Sequence, residues 1–288
     1  MGGMSALNSN GTTKRGGMFR RLAARYSSRP LGFFTGLLAV MLGIVILVLP
    51  SPYVVETPGP TQNVLGASGG RKVIDVQGVK TYDDTGRLLL VTVNAAGVPG
   101  YPVSNAEALW GWADPHMLVM PQEAVFPPGQ TSEAYEQESK HEMTSSQDAA
   151  ITAGLDYAAK LGVDVDGAHV TMHVDDIGGP SAGMMYALGL VDMLTPRHEA
   201  AKVTIAGTGT IDDEGKVGEI GGIGLKMLGA KRDGATWFLA PSANCADVAG
   251  HVPEGLRDVK VSTLGDAYRA LVAIGEGKGA DLPHCTAG

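Results

Sequence analysis

Two stretches of the chain hold side chains able to do chemistry. In "GGPSAG", residues 178–183, Ser181 follows the Gly178-Gly179-Pro180 turn and opens the apolar run "SAGMMYALGLVDML". A serine there puts its hydroxyl at the start of a helix, where unpaired N–H groups favour an anion or an oxyanion, and glycines let a substrate backbone approach. The same position suits an ordinary N-cap, because serine is a preferred capping residue. To act as a nucleophile Ser181 needs a base that takes its proton.

Two kinds of base are available. The seven histidines (His116, His141, His169, His173, His198, His251 and His284) are scattered and show no HExxH spacing, so zinc hydrolysis lacks its usual ligands and neither metal nor cofactor is expected. His173 is nearest to Ser181 in sequence, within the alternating "AHVTMHV" at 168–174, where a structural strand histidine is the favoured reading. The second kind is lysine, which serves only if burial lowers its pKa toward neutrality. In "EIGGIGLKMLGAKRDGA", residues 219–235, Lys226 follows a Gly-Gly turn and begins a helix among Ile223, Leu225, Met227 and Leu228, whereas Lys231 and Arg232 read as a solvated helix end. A lone lysine among apolar neighbours also commonly snorkels to the surface.

Elements must hold these groups in place. Segments 72–79 ("KVIDVQGV"), 86–97 ("GRLLLVTVNAAG"), 168–174, 202–211 ("KVTIAGTGTI") and 235–242 ("ATWFLAPS") read as strands from their β-branched, partly alternating patterns. Helices are predicted at 145–162, 181–194, 225–232 and 264–273, the first from its Ser/Asp-rich start, Ala-rich body and terminal glycine. Residues 98–129, rich in Pro and Trp, are expected to be irregular and to pack over a surface. Strands and helices intermix without a clean βαβα rhythm, which favours α+β over α/β.

Charge is distributed unevenly. The first 50 residues contain Lys14, Arg15, Arg20, Arg21, Arg25 and Arg29 and no acid, which leaves 16 basic against 30 acidic residues in the rest. So acidic a remainder argues against nucleic acid as a partner. Between the two lie residues 31–49, "LGFFTGLLAVMLGIVILVL", without a charge; as a helix they would span roughly 28 Å, enough for a bilayer core. The cations on the N-terminal side orient such a span with its N-terminus in the cytoplasm and residue 51 onward outside. A cleaved secretory signal is the alternative, but "VLPSPY" lacks a small-x-small cleavage site. Outside the cytoplasm Cys245 and Cys285 are free to pair. The expected organisation is a basic cytoplasmic arm (1–30), a transmembrane anchor (31–50), a linking segment (51–72) and one domain (73–280).

In order along the chain stand "MTSSQDAA", "VTMHV", "GGPSAG", "AGTGTI", "GKVGEIGGIGLK" and "PSAN". Together they resemble the proteolytic domain of the Lon family of Ser-Lys peptidases, over nearly the whole of 73–273. "TPGPTQNVLG" after the apolar run and "PSANC" late in the chain are similar to the membrane-anchored bacterial Lon-like branch. The resemblance implies an α+β Lon-type fold with Ser181 as nucleophile, Lys226 as general base, Thr208 helping to hold the lysine, Asn244 as the motif asparagine, and Gly179 and Pro180 shaping the turn. It further implies a serine endopeptidase cutting unfolded or presented proteins, with a homo-oligomeric, hexameric ring as a possible assembly. Two features depart from the pattern. That branch usually carries a PDZ module between the "SQxxA" helix and the following strand, and the interval here is too short for one. ATPase-linked Lon enzymes have an aspartate three residues before the serine, where Gly178 stands, the nearest acids being Asp175 and Asp176.

No GxxxxGK[ST] occurs, and "GEGKGA" has the wrong spacing, so no ATPase is expected and the activity would be ATP-independent. A phosphate-binding role for "GGPSAG" is disfavoured, because no dinucleotide fingerprint or Walker lysine accompanies the turn. The competing expectation is a catalytically silent, anchored peptidase-fold module that recruits envelope partners.

Overall fold

The computed structural model describes residues 31–174, 178–197, 200 and 202–286. The six N-terminal cations, Asp175, Asp176 and His198 lie outside these. The chain divides after Leu49 into two units. In the first, α1 (Leu31–Val48) is a helix of apolar side chains, none of them buried. Its length and composition suffice to cross a membrane, a property it shares with signal sequences.

The second unit opens with the long β1 (Tyr53–Asn63), followed by β2 (Ala67–Ser68), β3 (Arg71–Lys72), β4 (Ile74–Gln77) and β5 (Arg87–Ala96). Residues 98–129 are more regular than their composition suggests: they form α2 (Asn105–Ala113), β6 (Leu118–Pro121) and the short α3 (Gln122–Val125). A capping box between Ser104 and Glu107 starts α2, and β6 becomes regular by pairing with β1, a long-range contact that local pattern does not reveal. Next come α4 (Ser132–Lys160), β7 (His169–Met172), α5 (Gly183–Leu194), β8 (Thr204–Gly207), β9 (Thr210–Ile211), β10 (Val217–Gly218), α6 (Ile223–Arg232), β11 (Trp237–Pro241), α7 (Cys245–Val248), β12 (Arg257–Val261) and α8 (Leu264–Gly275). The helix expected at 145–162 is therefore longer, opening at the Thr131 cap. Its connection to β7 spans only residues 161–168, with no space for an inserted module.

One mixed sheet organises the domain, in the order β12-β11-β8-β5-β1-β6. β12, β11, β8 and β5 run parallel, and β1 lies antiparallel between β5 and β6. A sheet covered on both faces needs continuous apolar strands, and "LLLV" in β5 fits: Leu88 and Leu90 join the core with α4, α5 and α8, while Leu89 and Val91 join the opposite core with Ile223, Met227 and Ala230 of α6. Every residue of α5 except Met193 is buried, as expected of a helix apolar all round. Cys245 and Cys285 form a disulfide, which ties the C-terminal tail to the start of α7.

Candidate active site

Ser181 stands two residues ahead of α5. The helix opens at Gly183 with Ala182 as its cap and no side-chain capping bond, so Ser181 neither begins the helix nor caps it. Its hydroxyl has no hydrogen-bond partner among the described residues. Its carbonyl, by contrast, is gripped twice, by the Thr208 hydroxyl at 3.0 Å and the Gly209 N–H at 2.9 Å. The preceding carbonyl, of Pro180, accepts from the buried Ser146 hydroxyl of α4 at 3.0 Å. Gly179 takes the left-handed φ of 82° that this turn requires. A side chain at Gly178 would run into the Ser139 hydroxyl. The turn is thus wedged between α4 and the end of β8, with the serine main chain fixed and its hydroxyl free.

Lys226 sits in the first turn of α6, which opens at Ile223 after Gly222, itself left-handed at φ 66°. The lysine is only 3% exposed. Burial pushes its ammonium down to about 8, and the charge of Glu56 works against that shift. The amine makes no hydrogen bond among the described residues, so nothing but Glu56 favours its protonated form. Glu56, on β1, lies against the same helix start: a Cβ on Gly222 would sit 3.2 Å from its carboxylate. Burial raises the pKa of Glu56, and Lys226 partly restrains the rise.

The remaining sequence-predicted residues serve as supports. Thr208 is fully buried, and its hydroxyl bonds to the Ser181 carbonyl rather than to the lysine. The buried Asn244 side chain clamps Ile220 on both sides, accepting its N–H at 3.0 Å and donating to its carbonyl at 2.9 Å, which fixes the chain just ahead of the Gly221-Gly222 turn. Thr208 follows β8 and Asn244 follows β11, so these supports gather at the carboxyl ends of parallel strands, where open mixed sheets commonly place ligands. His173 is engaged with the Arg71 side chain. A hollow of about 250 Å³ beside the turn is lined by Phe126, Tyr135, Ser139, Glu142, Gly178 and Gly179 among others.

A family model for the Lon protease (S16) C-terminal proteolytic domain matches residues 116–271, more than half of the 288-residue chain and inclusive of every residue just described except Glu56 and Arg71. The chain belongs to the Lon protease S16 family. It is 31% identical over 193 residues to the Lon protease of Xanthomonas oryzae pv. oryzae, covering 60% of this chain and 22% of that protein. It is 34% identical over 122 residues to Lon protease 2 of Herpetosiphon aurantiacus, covering 40% of this chain and 15% of that protein. With Lon protease 1 of Bacillus subtilis the identity is 35% over 123 residues, covering 40% and 16%. The chain therefore spans less than a quarter of the length of these relatives. The matched part of the family is its proteolytic domain.

Two residues of this Lon-type site were not assigned roles from sequence. Ser146 lies in "MTSSQDAA", which marked a helix start but not a partner for the turn. Glu56 is the single acid of "YVVETPGPT", and its position inside a β-branched run was the available signal.

Proposed function

We propose that the chain is a membrane-anchored, ATP-independent serine endopeptidase with a Ser181–Lys226 dyad, acting on unfolded or presented proteins outside the cytoplasm. The observation that carries this reading is the buried amine of Lys226, with its pKa near 8, in the same domain as a serine hydroxyl left unbonded. Neutral lysine takes the Ser181 proton, the oxygen attacks a peptide carbonyl, and the protonated lysine supplies the proton to the leaving amine. Neither the Ser181 nor the Ala182 N–H donates to a described residue, so both amides are available to the oxyanion. Water, deprotonated by the same amine, then releases the acyl group. The hollow beside Gly178 and Gly179 is the place for a substrate side chain. Gly178 removes any carboxylate from the position three before the serine, so a catalytic role there falls to no acid.

The anchor and the outside location are supported by α1, by the charge asymmetry about it, and by the disulfide, a bond that persists in oxidising compartments. Independence from ATP follows from the outside location, where little ATP is present.

The test is cleavage of casein by the full chain in membranes, with and without ATP and with a Ser181→Ala control. Serine-dependent cleavage unchanged by ATP is expected. Cleavage that survives Ser181→Ala, or that requires ATP, overturns the proposal, and an inert wild type favours the silent binding module.

A further inference from the structure

Helix α2 buries only Ala108 and Gly111, a stripe too narrow to account for its composition. At about 100° per residue, its opposite face is made by Ala106, Leu109, Trp110 and Ala113, with Trp112 on the flank. Leu109 is 51% exposed, Trp110 64% and Trp112 56%. Tyr101, just before the helix, is also exposed. The one charge on α2, Glu107, is taken up in the capping box with Ser104. A helix with exposed indoles on two sides and no free charge is out of character for the surface of so acidic a domain.

Covalent connection identifies what meets this face. Ser104, the cap of α2, pairs with Pro50 in a β-bridge, and the Ser51 N–H donates to the Val103 carbonyl at 2.8 Å. Pro50 is two residues beyond Val48, where α1 ends. The bridge therefore fastens the cap of α2 to a residue that the chain joins to α1 through Leu49 alone.

We propose that α2 lies on the outer surface of the bilayer that α1 crosses, with Leu109 toward the lipid and Trp110 and Trp112, on either side of it around the helix, entering the headgroup layer. The inference rests on reading α1 as a membrane anchor. Indole suits that layer because its ring is apolar and its N–H finds polar partners there. A helix of this size needs little affinity of its own, since the tether makes its encounter with lipid intramolecular. Trp112 is held for the purpose by an edge-to-face contact with Tyr53 of β1, ring centres 4.9 Å apart. Gly111 packs closely on Val119 and Val55, which fixes α2 to the strands beneath. Contact with lipid would therefore set the orientation of the whole domain at the membrane.

The full chain is reconstituted into phosphatidylcholine–phosphatidylglycerol vesicles with plain or brominated acyl chains, and tryptophan emission is compared. The third tryptophan, Trp237, is in β11 with Arg257 over its ring. Quenching by brominated lipid is expected to remove up to two thirds of the emission, the share of Trp110 and Trp112 among three tryptophans. The quenched fraction should disappear in Trp110→Phe/Trp112→Phe. Alkaline carbonate washing of the same vesicles separates the two readings. A chain retained by the vesicles but unquenched overturns the lipid contact alone, as does quenching that persists in the double variant. A chain released by carbonate overturns the anchor and the lipid contact together. Emission that shifts with the number of chains per vesicle, and not with bromination, assigns the face to a second copy and overturns the proposal.

Discussion

Lys226 places a cost on the fold that its proposed chemistry requires. The unfolded chain holds the lysine proton up to a pKa near 10.5 and the folded chain only to about 8, so between those values the unfolded state binds more protons and stability rises with pH. Below about pH 8 the full penalty is present, of the order of 3 kcal/mol. Lys226→Met should therefore be inactive and yet about 1–3 kcal/mol more stable at pH 7, with the rise in stability between pH 8 and 10.5 abolished, as read by denaturant unfolding across pH. Activity of the native chain should climb through pH 8 as the amine loses its proton. Glu56 sets where that climb falls: its charge raises the lysine pKa, so in Glu56→Gln the midpoint of the pH–rate curve should move to lower pH. An unmoved midpoint would remove Glu56 from the site. The lysine could be named through the family resemblance of "GGIGLK", its apolar neighbours suiting a snorkelling lysine as well, whereas the glutamate could not, because it reaches α6 from a strand some 170 residues earlier.

At the level of elements, the serine turn depends on α4. Removing the hydroxyl in Ser146→Ala frees the Pro180 carbonyl and should cost about 1 kcal/mol of stability. The larger effect should be on kcat, with KM little changed, because the turn places the nucleophile. Steady-state kinetics beside thermal unfolding would separate the two, and equal losses in kcat and stability-corrected active fraction would make Ser146 merely structural. Strands and helices that carry their own period were legible from sequence: β5, β8, β11, α5, α6 and α8 all lie, to within two residues at most helix ends, where the apolar pattern put them. The first half of α4, "SEAYEQESKHEMT", has no apolar stripe and rests on helix propensity and the Thr131 cap, so only its Ala-rich second half was recognised. β6 exists by pairing with β1, and no local signal announces a partner so distant. The two Gly-Gly turns were visible for the opposite reason, since Gly179 and Gly222 occupy left-handed backbone that few other residues tolerate.

For the molecule as a whole, the disulfide closes a loop of 40 residues, worth about 4 kcal/mol in the chain-entropy account. Cys245→Ser should lower stability by roughly that amount in denaturant unfolding, and reduction of the native chain should reproduce the loss; sequence spacing had left this pair open. The bond lies immediately after Asn244, the clamp on Ile220 ahead of Lys226, so the variant's activity should fall more steeply on heating than that of the native chain.

The most enclosed helix of the domain, α5, carries the proposed nucleophile just ahead of its entrance. Segments that open locally are those with few buried contacts, whereas α5 is buried at every residue but Met193. Its amides should exchange with solvent deuterium only when the entire domain opens, later than those of α2 or of the first turns of α4. Softening of the serine turn and melting of the domain are then one transition, and the temperature at which catalysis stops doubles as a measurement of the melting point. For the proposed protease, the end of catalysis on heating and the collapse of its core would be the same event.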